Sequence, residues 1–284
     1  KSILIVTDKG IRKLNIITKL EEILKINNIK FSIYDDNSPN PTVQNVEDAR
    51  KMYLENDCDC LVAVGGGSSI DCAKALGARI ARPKKSLKQL KGLLKVGRKL
   101  PLLIAIPTTA GTGSEVTIAS VITDSIKHHK YTILAFNLIP SIAVLDPKST
   151  ISLPPHLTAT TGMDALTHAV EAYIGRSTTK DTRKKSIEAI KLIFENIEKA
   201  YLNGNDLEAR SNMLKASYLA GIAFTKSYVG YVHAIAHSLG GQYNIPHGLA
   251  NAVILPVVLK KYGKAIYKKL HNLIDKNNKT KGKI

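Results

Sequence analysis

Tryptophan is absent from this 284-residue chain, cysteine occurs three times, and aromatic residues make up only 5% of it. Cys58, Cys60 and Cys72 give no disulfide framework, and an odd thiol count fits a reducing, cytoplasmic setting. Cys58-Asp59-Cys60 runs into a strand-like segment and has no second pair, so the three thiols read as small core hydrophobes rather than metal ligands. No apolar run approaches the length that spans a bilayer. The chain opens directly on the strand-like Ile3-Leu4-Ile5-Val6 without a signal-peptide pattern, so no membrane attachment is expected. Acidic residues are also scarce: 23 Asp and Glu stand against 41 Lys and Arg, a formal charge of +18. That excess invites a polyanion reading, but the lysines are scattered along helix faces, as between Lys180 and Lys199, and few aromatics are available to stack on bases. Nucleic-acid binding is therefore disfavoured, and the charge reads as a solvated surface with a modest attraction for small anions.

What is present is an ordinary globular composition, 44% hydrophobic, arranged in two patterns. The first half alternates strand-like and helix-like runs: Ile3 to Thr7, a helix over Ile11 to Asn27, Phe31 to Tyr34, a helix over Val43 to Asn56, Cys60 to Val64, a helix over Ile70 to Ala81, then Leu102 to Ile106. Such alternation predicts a parallel sheet with crossover helices. A β-rich stretch from Val116 to Leu134, turning at Lys127-His128-His129-Lys130, reads as a hairpin beside that sheet, and Ile142 to Leu145 as a further strand. After Leu153-Pro154-Pro155 the periodicity is helical almost throughout, with helices over His156–Ile174, Thr179–Leu202, Leu207–Phe224, Val229–Leu239 and Gly248–Tyr262. The expected organisation is an α/β domain over residues 1–150 and an all-α domain over 151–284, ending in a polar, frayed tail from Asp275 to Lys283.

Two segments carry metal-ligand chemistry. Asp164 and His168, four apart on a predicted helix, put a carboxylate and an imidazole on one face. His233 and His237 repeat that spacing, and His247 comes just past a turn. One carboxylate oxygen with three neutral imidazoles suits Fe(II) or Zn(II) and leaves a position open for a substrate oxygen. Either pair alone reads more readily as ordinary core side chains in a chance spacing. In the first half, Leu61-Val62-Ala63-Val64 leads into Gly65-Gly66-Gly67-Ser68 and an amphipathic run, a strand, glycine turn and helix start that can hold a pyrophosphate on free amides. The same glycines also suit a plain tight turn, and Ser68 and Asp71 have the spacing of a capping box. Thr108, Thr109 and Thr112 lie just after a strand, where ligands gather at the carboxyl edge of a parallel sheet.

These motifs, in this order, resemble the iron-containing (group III) alcohol dehydrogenases from the first residues to about Tyr262. The resemblance includes lactaldehyde, 1,3-propanediol and butanol dehydrogenases. It implies a dinucleotide-binding Rossmann-like domain followed by a helical metal-binding domain, as in the dehydroquinate synthase-like fold. By resemblance Asp164, His168, His233 and His247 are the metal ligands, and His237 lies beside nicotinamide and metal, relaying a proton or only packing. Gly65, Gly66, Gly67, Ser68, Asp71, Thr108, Thr109, Thr112 and Lys130 are implied in holding NAD, while Glu115 either braces a loop or takes part in catalysis. Asp8 is placed near the adenosine ribose, where a carboxylate favours NAD over NADP, although an Asp there equally caps the next helix. The implied reaction moves a hydride between NAD(H) and a small primary alcohol or aldehyde, in a homo-oligomer of dimer size or larger. A glycerol dehydrogenase-like or related metal and NAD enzyme is the rival within enzymes, and an inactive assembly protein the rival outside them. Family members carry a further strand before this opening and further helices after it, so the chain is expected to be less stable and less active than a version that carries those helices.

Overall fold

The short runs at residues 3–6, 61–64 and 102–106 are apolar on both faces, and such strands are stable only with helices on either side. The structure, a computed structural model, describes residues 2–126, 129–243, 245–266 and 269–271. By internal contact it divides into two units: Lys1–Thr109 with Ser114–Ser152, and Ala110–Gly113 with Leu153–Ile284.

The first unit runs β1 (Ser2–Val6), α1 (Lys9–Lys13), α2 (Thr18–Ile26), β2 (Lys30–Tyr34), α3 (Val43–Glu55), β3 (Cys60–Gly65), α4 (Gly67–Ala81), α5 (Leu87–Leu90), β4 (Gly92–Leu93), β5 (Leu102–Pro107), β6 (Ala119–Asp124), β7 (His129–Leu134) and β8 (Ile142–Ala143). The main sheet is parallel in the order β2-β1-β3-β5-β8. Its side chains alternate: Leu4, Val6, Leu61, Ala63, Leu103 and Ala105 join one buried cluster, while Ile5, Val62, Val64, Ile104 and Ile106 join another on the opposite face. From β1 the chain steps to β2 on one side and then crosses to β3 on the other, so the carboxyl ends of β1 and β3 flank the point where strand order reverses. The hairpin β6–β7 is antiparallel and joins β4 in a separate three-stranded sheet. Lys127 and His128 of its expected turn lie outside the described residues.

One expected helix is two. Between α1 and α2 the chain turns at Asn15, whose φ of 55° is left-handed, a conformation asparagine tolerates and a helix interior does not. A second difference concerns α4, which starts at Gly67 with Gly66 as its cap residue and no side-chain cap. Ser68 and Asp71 therefore do not form a capping box there; Ser68 Oγ donates to the Pro39 carbonyl instead.

The second unit is helical: α6 (Pro155–Ile174), α7 (Lys180–Leu202), α8 (Leu207–Ser227), α9 (Tyr231–Tyr243) and α10 (His247–Tyr262). Alanines 165, 169, 189, 216 and 220 sit in its buried cluster with Leu166, Ile190, Ile193, Met213 and Leu255, and such small residues let helices approach closely. Thr179 caps α7 in a reciprocal pair with Thr182. Helix α9 continues through Gly240 and Gly241, beyond the expected stop at Leu239. Among the described residues no helix is long and apolar enough to cross a membrane. The tail 275–283 lies outside the described residues.

Candidate metal centre and cofactor edge

Helix α6 presents Asp164 and His168 one turn apart, both buried. His233, in the first turn of α9, is also buried, and His247 opens α10 half-exposed. Ligand atoms of Asp164, His233 and His247 all lie within 4.8 Å of one another. Asp164 Oδ1 is 3.5 Å from His233 Nε2 and 3.4 Å from His247 Nε2. His168 flanks this trio rather than joining it. Its Nδ1 is 3.9 Å from Asp164 Oδ1 and, though buried, has no hydrogen-bond partner, while its ring stacks between Phe224 and His233 at 4.1 and 4.2 Å. His237 is exposed, one turn beyond His233, with its ring stacked on His247 at 5.0 Å.

The electrostatics come from burial. Burial alone would raise the Asp164 carboxyl, yet His168, His233 and His247 together hold it well below the usual carboxylate range. Burial pushes His168 down to about 3 against the pull of Asp164, so its imidazole is neutral at physiological pH. His233 goes the other way: burial opposes its charge, but hydrogen bonds to Asp164 and Glu171 raise it to about 9.

Two residues of this site belong to no motif in the sequence. Asn251, one turn after His247 on α10, sends Nδ2 to Asp164 Oδ1 at 2.7 Å and stands 3.3 Å from His233 Nε2 and 3.2 Å from His247 Nε2. Glu171 sits on α6 one turn after His168 and accepts from His233 Nδ1 at 2.7 Å. Burial would raise its carboxyl, but His233 and the Gly230 and Val232 amides hold it below its ordinary value. The only signal for either was a single polar residue in an apolar helical run, Val170-Glu171-Ala172 and Ala250-Asn251-Ala252, and a lone polar residue has many bland explanations.

In the first unit, the predicted cofactor residues gather at the carboxyl edge of the sheet. Gly65 ends β3 at φ 154°, and a Cβ there would lie 2.4 Å from Ser69 Oγ, so only glycine makes this turn. Thr108 N donates to Gly65 O at 3.0 Å, and a Cβ on Gly66 would reach within 3.4 Å of the Thr109 methyl. The amides that open α4 at Gly67 and Ser68 thus stand beside Thr108 and Thr109. Lys130 Nζ donates to Asn40 Oδ1 at 2.8 Å, next to the Pro39 carbonyl that Ser68 holds, and burial lowers its ammonium pKa. Asp8 caps α1 through Oδ1, which accepts from Ile11 N at 3.0 Å, while Oδ2 faces Gly65 across the strand-order reversal. Two residues of the expected group have further ties. Asp71 spends its carboxylate on Ser114 Oγ at 2.7 Å and Val121 N at 2.9 Å, holding the hairpin. Thr112 lies in the Ala110–Gly113 segment, which belongs to the helical unit.

Residues 1–147 match the profile described as iron-containing alcohol dehydrogenase, and residues 158–281 match the C-terminal profile of the same family. The chain belongs to the iron-containing alcohol dehydrogenase family. It is 44% identical to alcohol dehydrogenase 4 of Schizosaccharomyces pombe over 92% of this chain and 61% of that protein. It is similar to a crystal structure of 1,3-propanediol oxidoreductase, with 44% identity and a TM-score of 0.89 over 92% of this chain and 68% of that one. It is also similar to sulfoacetaldehyde reductase from Bifidobacterium kashiwanohense in complex with NAD+, with 31% identity and a TM-score of 0.85 over 96% of this chain and 73% of that one. The chain therefore spans less than two thirds of the length of the yeast relative.

Proposed function

We propose that this family member is a metal-dependent oxidoreductase that transfers a hydride between NAD(H) and a small primary alcohol or aldehyde. The observation that carries this reading is the convergence of Asp164, His233 and His247, on three different helices, with ligand atoms mutually within 4.8 Å. The donor set fits a divalent first-row metal on two grounds. Ligand atoms of all three residues surround the Asn251 amide nitrogen, which stands within 3.3 Å of each. The buried Nδ1 of His168 beside them has no partner, as a further ligand would without its ion. One carboxylate and three imidazoles without thiolate suit Fe(II) and also Zn(II), and the family to which the chain belongs favours iron.

When bound, such an ion supplies Lewis acidity, making an alcohol hydroxyl more acidic or an aldehyde carbonyl more electrophilic. Asp164 supplies the negative charge of the set, and His168, neutral through burial, ligates without first losing a proton. His237, exposed and stacked on His247, is proposed to carry the alcohol proton to and from solvent. The Gly65–Gly66–Gly67 turn, with the amides that open α4, is assigned the pyrophosphate of NAD, with Ser68, Thr108, Thr109 and Lys130 around it. Asp71 and Thr112 are assigned supporting places, the former through the hairpin it holds. Asp8 is assigned the ribose of NAD, with its cap to Ile11 fixing the carboxylate's direction. The α/β unit is thus read as dinucleotide-binding and the helical unit as metal-binding. A homo-oligomer in the cytoplasm completes the proposal; three buried thiols, none in a disulfide, support the reducing setting.

The test is metal analysis of the purified protein followed by NADH oxidation with short aldehydes, hydroxyaldehydes included. Metal-dependent oxidation with at least one of them is expected. Fully metal-loaded protein that oxidises no NADH with any of them would sink the reading.

A further inference from the structure

Among the described residues, three donors hydrogen-bond the buried carboxylate of Glu171. Oε1 accepts from Val232 N at 2.7 Å, and Oε2 accepts from Gly230 N at 2.8 Å and from His233 Nδ1 at 2.7 Å. Gly230 and Val232 are amides at the start of α9, so the backbone itself anchors the carboxylate that the ring of His233 then meets. On α6, Asp164, His168 and Glu171 fall at i, i+4 and i+7, one stripe of the helix. The first two serve the candidate metal site, and the third reaches behind the ligand that α9 contributes.

We propose that Glu171 is a positioning residue of the metal centre, fixing His233 as the Nδ1–H tautomer so that its Nε2 lone pair faces the position shared with Asp164 and His247. This rests on the metal-site reading above and adds the residue that orients one of its ligands. The chemistry is direct. An ionised carboxylate accepts and does not donate, so the imidazole nitrogen opposite it keeps its hydrogen in the charged and in the neutral ring alike, and it is Nε2 that gives up a proton to a metal and exposes its lone pair. A carboxylate behind an imidazole also makes it a stronger ligand, and such partners commonly govern metal affinity. The site is shaped for this contact from both sides. A Cβ on Gly230 would lie 2.7 Å from Glu171 Oε1, so only glycine there lets the carboxylate close on the amides and the ring together. An amide at position 171 does not substitute: wherever its NH2 points, it meets at least one of the three donors.

The experiment compares the parent, Glu171→Gln, Gly230→Ala and the double variant in the full chain, with Zn(II) as a redox-inert probe. Metal affinity is read by competition with a chromophoric chelator, the melting temperature is read on metal-free protein, and the His233 tautomer is read from ring 15N shifts. Glu171→Gln is expected to weaken Zn(II) affinity about 10- to 100-fold, with loss of the Nδ1–H signature. Gly230→Ala is expected to do the same through displacement of the carboxylate, and the double variant to cost no more than the worse single one, since both break one contact. If Glu171→Gln lowers only the melting temperature, with affinity and tautomer unchanged, Glu171 is merely a helix cap and the proposal falls. Should Glu171→Gln fail to fold, Gly230→Ala decides by the same readouts. His247→Ala serves as the reference: lost metal there with undiminished affinity in Glu171→Gln rejects the positioning role alone, whereas full metal in His247→Ala rejects the site itself.

Discussion

Asp164 is the point on which the proposed site depends, since its Oδ1 stands between 3.4 and 3.9 Å from nitrogens of three histidines. Asp164→Ala or His247→Ala is expected to abolish metal binding while leaving NAD affinity within a few-fold, because the residues assigned to NAD lie almost entirely in the α/β unit. Elemental analysis alongside NAD titration checks this, and full metal occupancy in either variant would remove the ligand assignment. Asp8 has two jobs that one substitution separates. Asp8→Gly costs the α1 cap only a few tenths of a kcal/mol, whereas removing a carboxylate opposed to a 2′-phosphate is worth roughly 1–3 kcal/mol in favour of NADPH. If the parent already uses NADPH as readily as NADH, Asp8 is a cap and nothing more. At this scale the sequence was legible where chemistry repeats at helical spacing, as in Asp164/His168 and His233/His237. It was silent for Glu171 and Asn251, single polar side chains whose role exists only because α9 and α10 are brought to α6.

Helix α10 can deliver His247 only because its second residue has no side chain. A Cβ on Gly248 would lie 2.2 Å from the Thr160 carbonyl oxygen of α6, and neither backbone can yield cheaply. Gly248→Ala is therefore expected to push the first turn of α10 off α6, at about 1–3 kcal/mol of stability, and to weaken metal binding with it. Gly241, inside α9, is the control, since a Cβ there meets nothing within 4 Å. Gly241→Ala is expected to be neutral or to stabilise by up to about 1 kcal/mol. Urea unfolding of the two variants with a Zn(II) titration checks both, and equal behaviour would refute the close-approach argument. Element type was readable from pattern, because β3 and β5 are short runs apolar on both faces and α6 to α8 are long helical runs. Element ends were not. The break at Asn15 is one residue turning left-handed, and α9 runs through two glycines that look like a stop; neither is decided by pattern.

For the molecule as a whole, a buried cluster in the α/β unit couples stability to pH. Lys74, fully buried, donates to Thr117 O, Thr117 Oγ1 and Ala119 O, and burial lowers it to about 8. Burial raises Glu115 to about 7, only partly offset by its own backbone amide and by Lys74. Between its unfolded value and about 7, folded Glu115 keeps a proton that the unfolded chain has released. Stability is therefore lost as pH rises through that window, and the loss is complete above it. Glu115→Gln has no such charge to bury, so its stability relative to the parent is expected to improve by about 1–3 kcal/mol between pH 5 and pH 8. Urea midpoints at the two pH values measure it, and a pH-independent difference would show that Glu115 is ionised and satisfied throughout. The alternation of strand and helix made the α/β unit legible, and unbroken helical periodicity did the same for the helices beyond Leu153. No periodicity separates Ala110–Gly113 from the strand before it, because the segment's allegiance rests on contacts of two glycines: Cβ positions on Gly111 and Gly113 fall 2.8 Å from Thr161 and from Gly221. The helical unit is thus built from two separated stretches of chain, the shorter of which packs on α6 at Thr161 and on α8 at Gly221. A gene fragment cut at residue 153 would leave the close contacts at Thr161 and Gly221 unfilled. The half proposed to bind the metal is consequently not a portable module: it can be neither transplanted nor exchanged by a single crossover, and any chimera meant to keep the proposed site must carry residues 110–113 along with it.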